Sequence, residues 1–237
     1  MRFGVKLKMA ILAIYLCSLT LRYLMKKTIF FLFTIFAISS SHTITAQDKE
    51  GFELIKKEDQ ISIFERWINY PTPTSTTQAR EVKGEFTIAT NVYAALKLIR
   101  NEEKIQIWQT HVSEFKVYLQ PDTMMWYEYS YHDIPWPVTD QDHYLKYKLN
   151  VIKPNEQLFI TFESAENKDV APVREDVDRM GLTGSWRLEK LPGKMIKVTY
   201  RIISKPSSIP RLFTDPVIRR NIMSTIRSYI DILEGRK

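Results

Sequence analysis

Apolar and polar positions alternate along most of the chain after residue 47. Successive side chains of a strand point to opposite faces of a sheet, so alternation with a period of two predicts a β-strand. Several such segments at hairpin spacing predict one antiparallel sheet. The predicted strands cover residues 61–68, 79–88, 113–119, 124–131, 143–152, 157–164, 184–191 and 194–204, with a proline-rich loop at 71–77.

Two segments have a helical period instead. Asn91 is a suitable N-cap, and the apolar residues after it recur at spacings of three and four, which predicts a helix through Ile99 or a little beyond. The second helix is predicted to start at Pro216, near the end of the chain. Its apolar stripe consists of Ile218, Ile222, Ile226, Tyr229 and Leu233.

A sheet with one long terminal helix buries the apolar stripe of the helix against the concave face of the sheet. If the sheet is strongly curved, a cavity remains between the two layers, and small apolar ligands occupy such cavities. The predicted fold class is therefore α+β, with a curved antiparallel sheet around a C-terminal helix.

The first 46 residues have the organisation of a leader. Two apolar runs, 9–21 and 28–38, are each shorter than the roughly 20 residues that span a bilayer. The second run follows Lys26 and Lys27 and precedes small and polar residues, which is the order of a secretory signal peptide. We predict cleavage after Ala46, with Met25 as an alternative start, and export to the periplasm or the medium. The alternative is an uncleaved membrane anchor.

Composition and charge restrict the partners of the remaining residues, 47–237, which we interpret as one domain. Of the 237 residues 26% are charged and 12% aromatic, which is typical of a globular protein. The net charge of +7 comes mostly from the leader, which has six bases and no acid. A nucleic-acid-binding body is therefore not expected. The single cysteine, Cys17, also lies in the leader, so disulfides and thiol chemistry are excluded from the body.

One segment resembles a family signature. Residues 133–143 read DIPWPVTDQDH and are similar to the central motif of START domains, the lipid-transfer domains related to the steroidogenic acute regulatory protein. The resemblance covers about residues 52–235. It implies a helix-grip, Bet v 1-like fold and a monomer that holds one lipid or sterol in a tunnel. Supporting matches occur in the expected order at Trp108, Val173-Arg174, Gly184-Ser185-Trp186 and Ile209-Pro210.

The chain departs from this family at two positions. Gln141 stands where the family has arginine, which leaves the ion pairing of the loop open. In sterol-binding members a buried glutamate and a buried arginine contact the polar group of the ligand; Glu128 matches the acid, but Tyr147 occupies the arginine position. Cholesterol specificity therefore does not carry over. Arg174 is a candidate substitute partner for Glu128.

The candidate ligand contacts combine this resemblance with the strand and helix patterns. Ser130 shares a strand face with Glu128, and large rings supply apolar area with a polar tip. For each ring the competing interpretation is core packing, and for Glu128 it is exposure to solvent. Leu212 and Phe213 form either the rim of a gate or the contact that seats the last helix. The predicted cavity residues are Trp108, Trp126, Glu128, Ser130, Tyr147, Arg174, Trp186, Tyr200, Leu212, Phe213, Ile222 and Ile226.

Other features are assigned no chemistry. Trp136, between two prolines, is expected to pin its loop. His132, Asp133, Asp140 and His143 match no metal-ligand spacing and are interpreted as solvated loop residues. No nucleophile elbow, phosphate loop or zinc motif is present, so we expect no catalytic residue, metal or cofactor. The basic residues near the last helix either attract anionic headgroups or solvate the helix; they are Arg211, Arg219, Arg220 and Arg227.

The sequence thus favours an exported, non-enzymatic lipid-binding or lipid-transfer protein with possible transient contact with a membrane surface. The alternative is a helix-grip enzyme like the polyketide cyclases and aromatases, which paired acid and base groups in the cavity would favour. A ligand sensor that signals to a protein partner is a third hypothesis.

Overall fold

The computed structural model describes residues 50–71, 75–136, 138–204 and 211–236, with side chains of the last range from Arg219 onward. The predictions for the leader, for Ile209 and Pro210, and for the side chains of Leu212 and Phe213 lie outside the described residues. Within these ranges, no helix is both long enough and apolar enough to cross a bilayer.

The described strands form one large sheet in which all neighbours are antiparallel except the short β8, which pairs parallel with β6. The order along the sheet is β1-β2-β3-β10-β9-β7-β6-β5-β4. The strands are β1 (Glu53–Glu58), β2 (Ile61–Pro71), β3 (Thr76–Ile88), β4 (Val112–Leu119), β5 (Met125–His132), β6 (Gln141–Lys153), β7 (Gln157–Ser164), β8 (Asp178–Arg179), β9 (Leu182–Lys190) and β10 (Ile196–Ser204).

The predicted antiparallel sheet is confirmed, and each of the eight predicted strands corresponds to an observed one. Two strands escaped prediction for different reasons. β1 has no fully buried residue and several charged ones, so it lacks a clear alternation. β8 has only two residues, which is too short for any period to show.

Three helices occur in the described residues: α1 (Val92–Ile99), α2 (Ile105–Trp108) and α3 (Arg211–Leu233). Asn91 caps α1, because its side-chain oxygen accepts hydrogen bonds from the backbone N–H groups of Tyr93 (3.1 Å) and Ala94 (2.9 Å). α3 begins at Arg211 rather than at Pro216, so the prediction of its start is wrong. The proline lies inside the helix, where it removes one backbone hydrogen-bond donor.

The second half of α3 packs on the inner face of the sheet. Cδ1 of Ile226 lies 2.7 Å from the position that a methyl group on Gly84 of β3 would take, so the small residue lets the helix approach closely. The ring of Tyr229 makes edge contacts with Trp108 at 5.0 Å, and its hydroxyl donates a hydrogen bond of 2.7 Å to the carbonyl of Ala95. A sheet covered by a helix in this way is consistent with a helix-grip fold.

A clasp on the opposite face of the sheet holds the first described residues. Phe52 is fully buried, and cationic groups of Arg66 and Lys83, each 4.4 Å from the ring centroid, and of Arg201 at 5.2 Å surround its ring. Arg201 also forms an ion pair of 3.1 Å with Glu50. The segment before β1 is therefore fastened to the outer side of the sheet.

Candidate ligand-binding cavity

A cavity of about 1080 Å³ lies between the inner face of the sheet and α3. Much of its wall is apolar, and polar side chains from several elements complete it, among them Glu128 and His132 of β5 and His143 of β6. Apolar wall residues include Val82, Phe86, Ile99, Leu145, Phe162, Leu182, Ile202, Ile222 and Ile226.

Seven of the predicted cavity residues line this space: Trp108, Glu128, Tyr147, Trp186, Tyr200, Ile222 and Ile226. Two independent signals led to them. The helical period identified the inner face of α3, and the family resemblance identified the central strands. Their contact with a ligand remains a prediction.

Three predicted residues lie elsewhere. Trp126 is fully buried and stacks on the ring of Tyr147 with centroids 4.9 Å apart, so it belongs to the core behind the wall. Ser130 is also fully buried, and its hydroxyl lies 3.1 Å from Nε2 of His132. Neither Trp126 nor Ser130 borders the cavity, although Glu128 on the same strand face does.

The third predicted residue that lies outside the cavity wall is Arg174. It was predicted as a partner for Glu128, and this prediction is wrong. Its guanidinium donates two hydrogen bonds, of 2.9 and 2.8 Å, to the carboxylate of Glu114 at the protein surface. It also lies over the ring of Tyr131, 4.8 Å from the centroid. The exposed carboxylate and the tyrosine face hold the guanidinium outside the cavity.

Glu128 instead meets His143 and Tyr147, both on β6. Oε1 of Glu128 lies 3.2 Å from Nε2 of His143 and accepts a hydrogen bond of 3.3 Å from the Tyr147 hydroxyl. Glu128 is only 2% exposed. The competing interpretation, that Glu128 points to solvent, is therefore wrong.

His143 is the functional candidate that the sequence interpretation missed. It was assigned to a solvated loop, but it lies on β6 and is 6% exposed. His132, assigned in the same way, lies on β5 and borders the cavity. A usable signal was present, because His143, Leu145 and Tyr147 stand two residues apart and so share one strand face.

Burial favours the uncharged forms of Glu128, His143 and His132. Desolvation raises the pKa of Glu128 to about 8, and the hydrogen bond from Tyr147 opposes the shift only in part. Desolvation lowers the pKa of His143 to about 4. It lowers the pKa of His132 to about 3, with a further contribution from the neighbouring His143. At neutral pH all three groups are therefore uncharged.

The segment 133–143 is held by a cation from a later strand, β8. Arg179 of β8 donates hydrogen bonds of 2.5 and 2.9 Å to the buried carboxylate of Asp142. Asp140 accepts hydrogen bonds from the Tyr131 hydroxyl (2.8 Å) and the backbone N–H of Ile134 (3.0 Å). With Gln141 in place of arginine, the ion pair is supplied by a strand that comes later in the chain.

Trp136 does not pin this loop, because its side chain is 91% exposed. The loop faces the cavity through Ile134 and Val138 instead. In the described part of the chain, no three histidine, cysteine or acidic side chains are arranged to hold a metal ion.

Comparisons with known proteins identify the fold. No family model and no curated protein matches the chain. A STAR-related lipid transfer protein from Xanthomonas axonopodis aligns with a TM-score of 0.64 at 21% identity, over 77% of this chain and 98% of that one. Human StAR-related lipid transfer protein 5 aligns with a TM-score of 0.64 at 10% identity, over 80% and 89%.

A third structure, human STARD10, aligns with a TM-score of 0.62 at 12% identity, over 78% of this chain and 75% of that one. These three proteins share the fold of this chain. The fold of the chain is therefore that of the StAR-related lipid transfer domains, a Bet v 1-like fold.

Proposed function

We propose that this protein binds one hydrophobic ligand, a lipid or a sterol-like molecule, in the cavity and carries it as a lipid-transfer protein. The observation that carries the proposal is the volume of about 1080 Å³ between the sheet and α3. Ligand pockets are typically about 300 to 1,000 Å³, with mostly apolar walls and a few polar groups. Two proteins of the same fold are named for lipid transfer.

Binding would be driven by apolar surface leaving water, at roughly 25 cal/mol per Å². The aromatic wall suits this role, because the rings of Trp186 and Tyr200 lie with centroids 4.1 Å apart and give the cavity one continuous apolar side. Glu128 and its partners then receive the polar end of the ligand.

A bulky side chain inside the cavity tests this proposal. Ile222 lies on α3 at the cavity wall, so Ile222→Trp should reduce the amount of lipid that co-purifies with the protein by about tenfold. Organic extraction and mass spectrometry measure the lipid, and the intact mass gives the mature N-terminus, expected at Gln47 if the leader is cleaved.

The matched control is Ser224→Trp, which adds the same indole on the exposed side of the same helix. It should leave the lipid content as in the wild type. If Ile222→Trp retains wild-type lipid while remaining folded by circular dichroism, or if the wild type takes up no lipid at all, the proposal is wrong.

Transient membrane contact is a further part of the proposal, and Trp136 is the residue that supports it. Its exposed ring is suited to the headgroup region of a bilayer, and its loop also lines the cavity. The basic residues near α3 support it less, because Arg219 pairs with Glu65 and Arg227 with Glu58.

Trp136→Ala should lower the rate of lipid transfer between vesicles by about tenfold. Leu119→Ala is the control, since Leu119 is 70% exposed on β4 but does not border the cavity. Equal transfer rates for both variants would mean that Trp136 does not contribute to membrane contact.

The wild-type protein should run as a monomer in gel filtration.

An enzyme on the same fold is the second candidate, and the contact between Glu128 and His143 favours it. An acid and a base within hydrogen-bond reach in a cavity can move a proton at a bound molecule. The distinguishing measurement is deuterium exchange next to the carbonyl of a bound ketone: acceleration by the wild type and loss in Glu128→Leu would support catalysis.

A further inference from the structure

The two carboxyl oxygens of Glu128 have different surroundings. Oε1 is the contact atom for both His143 and Tyr147. Oε2 has no hydrogen-bond partner among the residues that the structure describes, yet Glu128 borders the cavity. Oε2 is therefore the oxygen that remains for a ligand.

No lysine or arginine of the described ranges forms an ion pair with Glu128. The two arginines of the cavity wall and the predicted partner Arg174 form ion pairs with other carboxylates. The pairs are Arg179 with Asp142 at 2.5 Å, Arg80 with Glu65 at 3.7 Å, and Arg174 with Glu114 at 2.8 Å. A buried carboxyl group without a cation keeps its proton, because the charged form would be desolvated without compensation.

The position of that proton follows from His143. Its Nδ1 is buried and has no hydrogen-bond partner among the described atoms. We assign the tautomer with hydrogen on Nε2, because the other would bury an unpaired N–H donor, which is rarer in proteins than an unpaired acceptor. Nε2–H of His143 and O–H of Tyr147 then both donate to Oε1, and the carboxyl proton resides on Oε2.

We propose that Oε2–H of Glu128 donates a hydrogen bond to the polar end of the ligand, so that the cavity selects lipids ending in a hydroxyl or carbonyl oxygen over lipids ending in a carboxylate or phosphate. This inference rests on the proposed lipid-binding function.

The cavity wall also disfavours an anionic end. Among the described side chains, the arginines of the wall are Arg80 and Arg179, which already have the carboxylates of Glu65 and Asp142 as ion-pair partners. A carboxylate brought to Glu128 would lose its hydration and would meet a neutral acid, a neutral imidazole and a phenol in return. An uncharged oxygen loses far less hydration and gains the same donor.

Four matched probes test the selectivity: octadecanol, methyl octadecanoate, octadecanoate and octadecane, each delivered from cyclodextrin to the delipidated full chain at neutral pH. Octadecanol and methyl octadecanoate should bind at least about tenfold more tightly than octadecanoate and octadecane. Glu128→Leu, which removes the donor, should reduce this preference for the alcohol over the alkane to about twofold.

A pH series gives an independent readout. The affinity for methyl octadecanoate, whose ester oxygens can only accept a hydrogen bond, should fall as the pH rises through about 8, where Glu128 ionises and the donor is lost. His143 and Tyr147 face Glu128 from β6, Tyr200 faces it from β10, and His132 lies beside His143. The two histidines are already neutral in this range. Glu128→Gln should abolish the alkaline fall, and Glu163→Gln, at an exposed carboxylate of β7, should keep it.

The outcomes separate this inference from the function on which it rests. If octadecanoate binds as tightly as octadecanol, or if Glu128→Leu keeps the full preference, the selectivity is wrong but lipid binding stands. If none of the four probes binds, lipid binding itself is wrong and the inference falls with it.

Discussion

Replacing Glu128 by glutamine is expected to stabilise the protein by about 4 kcal/mol at pH values near 8. The folded state raises the pKa of this carboxyl from 4.5 to about 8. As the pH rises above 4.5, the unfolded chain releases a proton that the folded chain retains, so stability is lost progressively until about pH 8. Each unit of difference corresponds to about 1.36 kcal/mol. Glutamine has no proton to release, and its amide oxygen can still accept from Tyr147 and His143.

Denaturant unfolding at pH 5 and at pH 8 measures this effect. The gain should be small at the lower pH and largest at the higher one. Glu163→Gln, at an exposed position of β7, is the control and should change the free energy of unfolding by less than about 0.5 kcal/mol. An equal pH dependence for wild type and Glu128→Gln would mean that the carboxyl is ionised in the folded state.

The buried histidines lower the stability of the folded state at acid pH, whereas Glu128 lowers it at alkaline pH. Burial lowers the pKa values of His143 and His132 to about 4 and about 3, below the usual 6.5. As the pH falls below 6.5, the unfolded chain takes up protons that the folded chain refuses, so stability is lost on the acid side. With Glu128 acting on the alkaline side, the wild type should be most stable near pH 6.5, and Glu128→Gln should extend its plateau upward.

Replacing Gly184 by alanine is expected to destabilise the protein by about 3 kcal/mol or more. Gly184 lies on β9 between Phe162 of β7 and Ile202 of β10. A methyl group there would overlap the backbone carbonyl oxygen of Arg201 and the ring of Phe162. Because a backbone atom cannot turn aside as a side chain can, the central sheet has to deform.

Gly84→Ala is the matched comparison in β3, the other neighbour of β10. Its methyl group would meet only Cδ1 of Ile226, at 2.7 Å, which is the end of a flexible side chain. We expect a loss of about 1 kcal/mol for this variant. Urea unfolding of both proteins measures the difference; equal stabilities would show that the sheet tolerates a side chain at position 184.

Much of the fold was predictable from the sequence because the alternation is local. Each predicted strand needs only its own residues, and the cap of α1 needs only Asn91 and the next turn. β1 was missed because it has several charged residues and no fully buried one, so its own residues show no clear alternation. The predicted start of α3 was wrong because proline is common in the first turn of a helix, but a proline does not have to stand there.

The site was predicted less completely, since its partners come from different strands. Glu128 was found from its strand face and the resemblance, but the choice between Arg174 and His143 depends on which strands become neighbours. Pairing of β5 with β6 sets Ser130 opposite His143 and so brings the imidazole next to Glu128. The loop before β8 carries Arg174 outward to Glu114. Neither contact can be predicted from the alternation of apolar and polar residues within one strand.

The clasp at Phe52 determines how this molecule can be attached to a solid support. Val82 borders the cavity and Lys83, the next residue of β3, contacts Phe52, so the two lie on opposite faces of the sheet. A tag placed just before Glu50 therefore leaves from the side of the sheet opposite the cavity. A sensor chip that captures such a tag would present the cavity to the flowing sample, whereas a tag at the other terminus would follow α3 and crowd the layer that covers it.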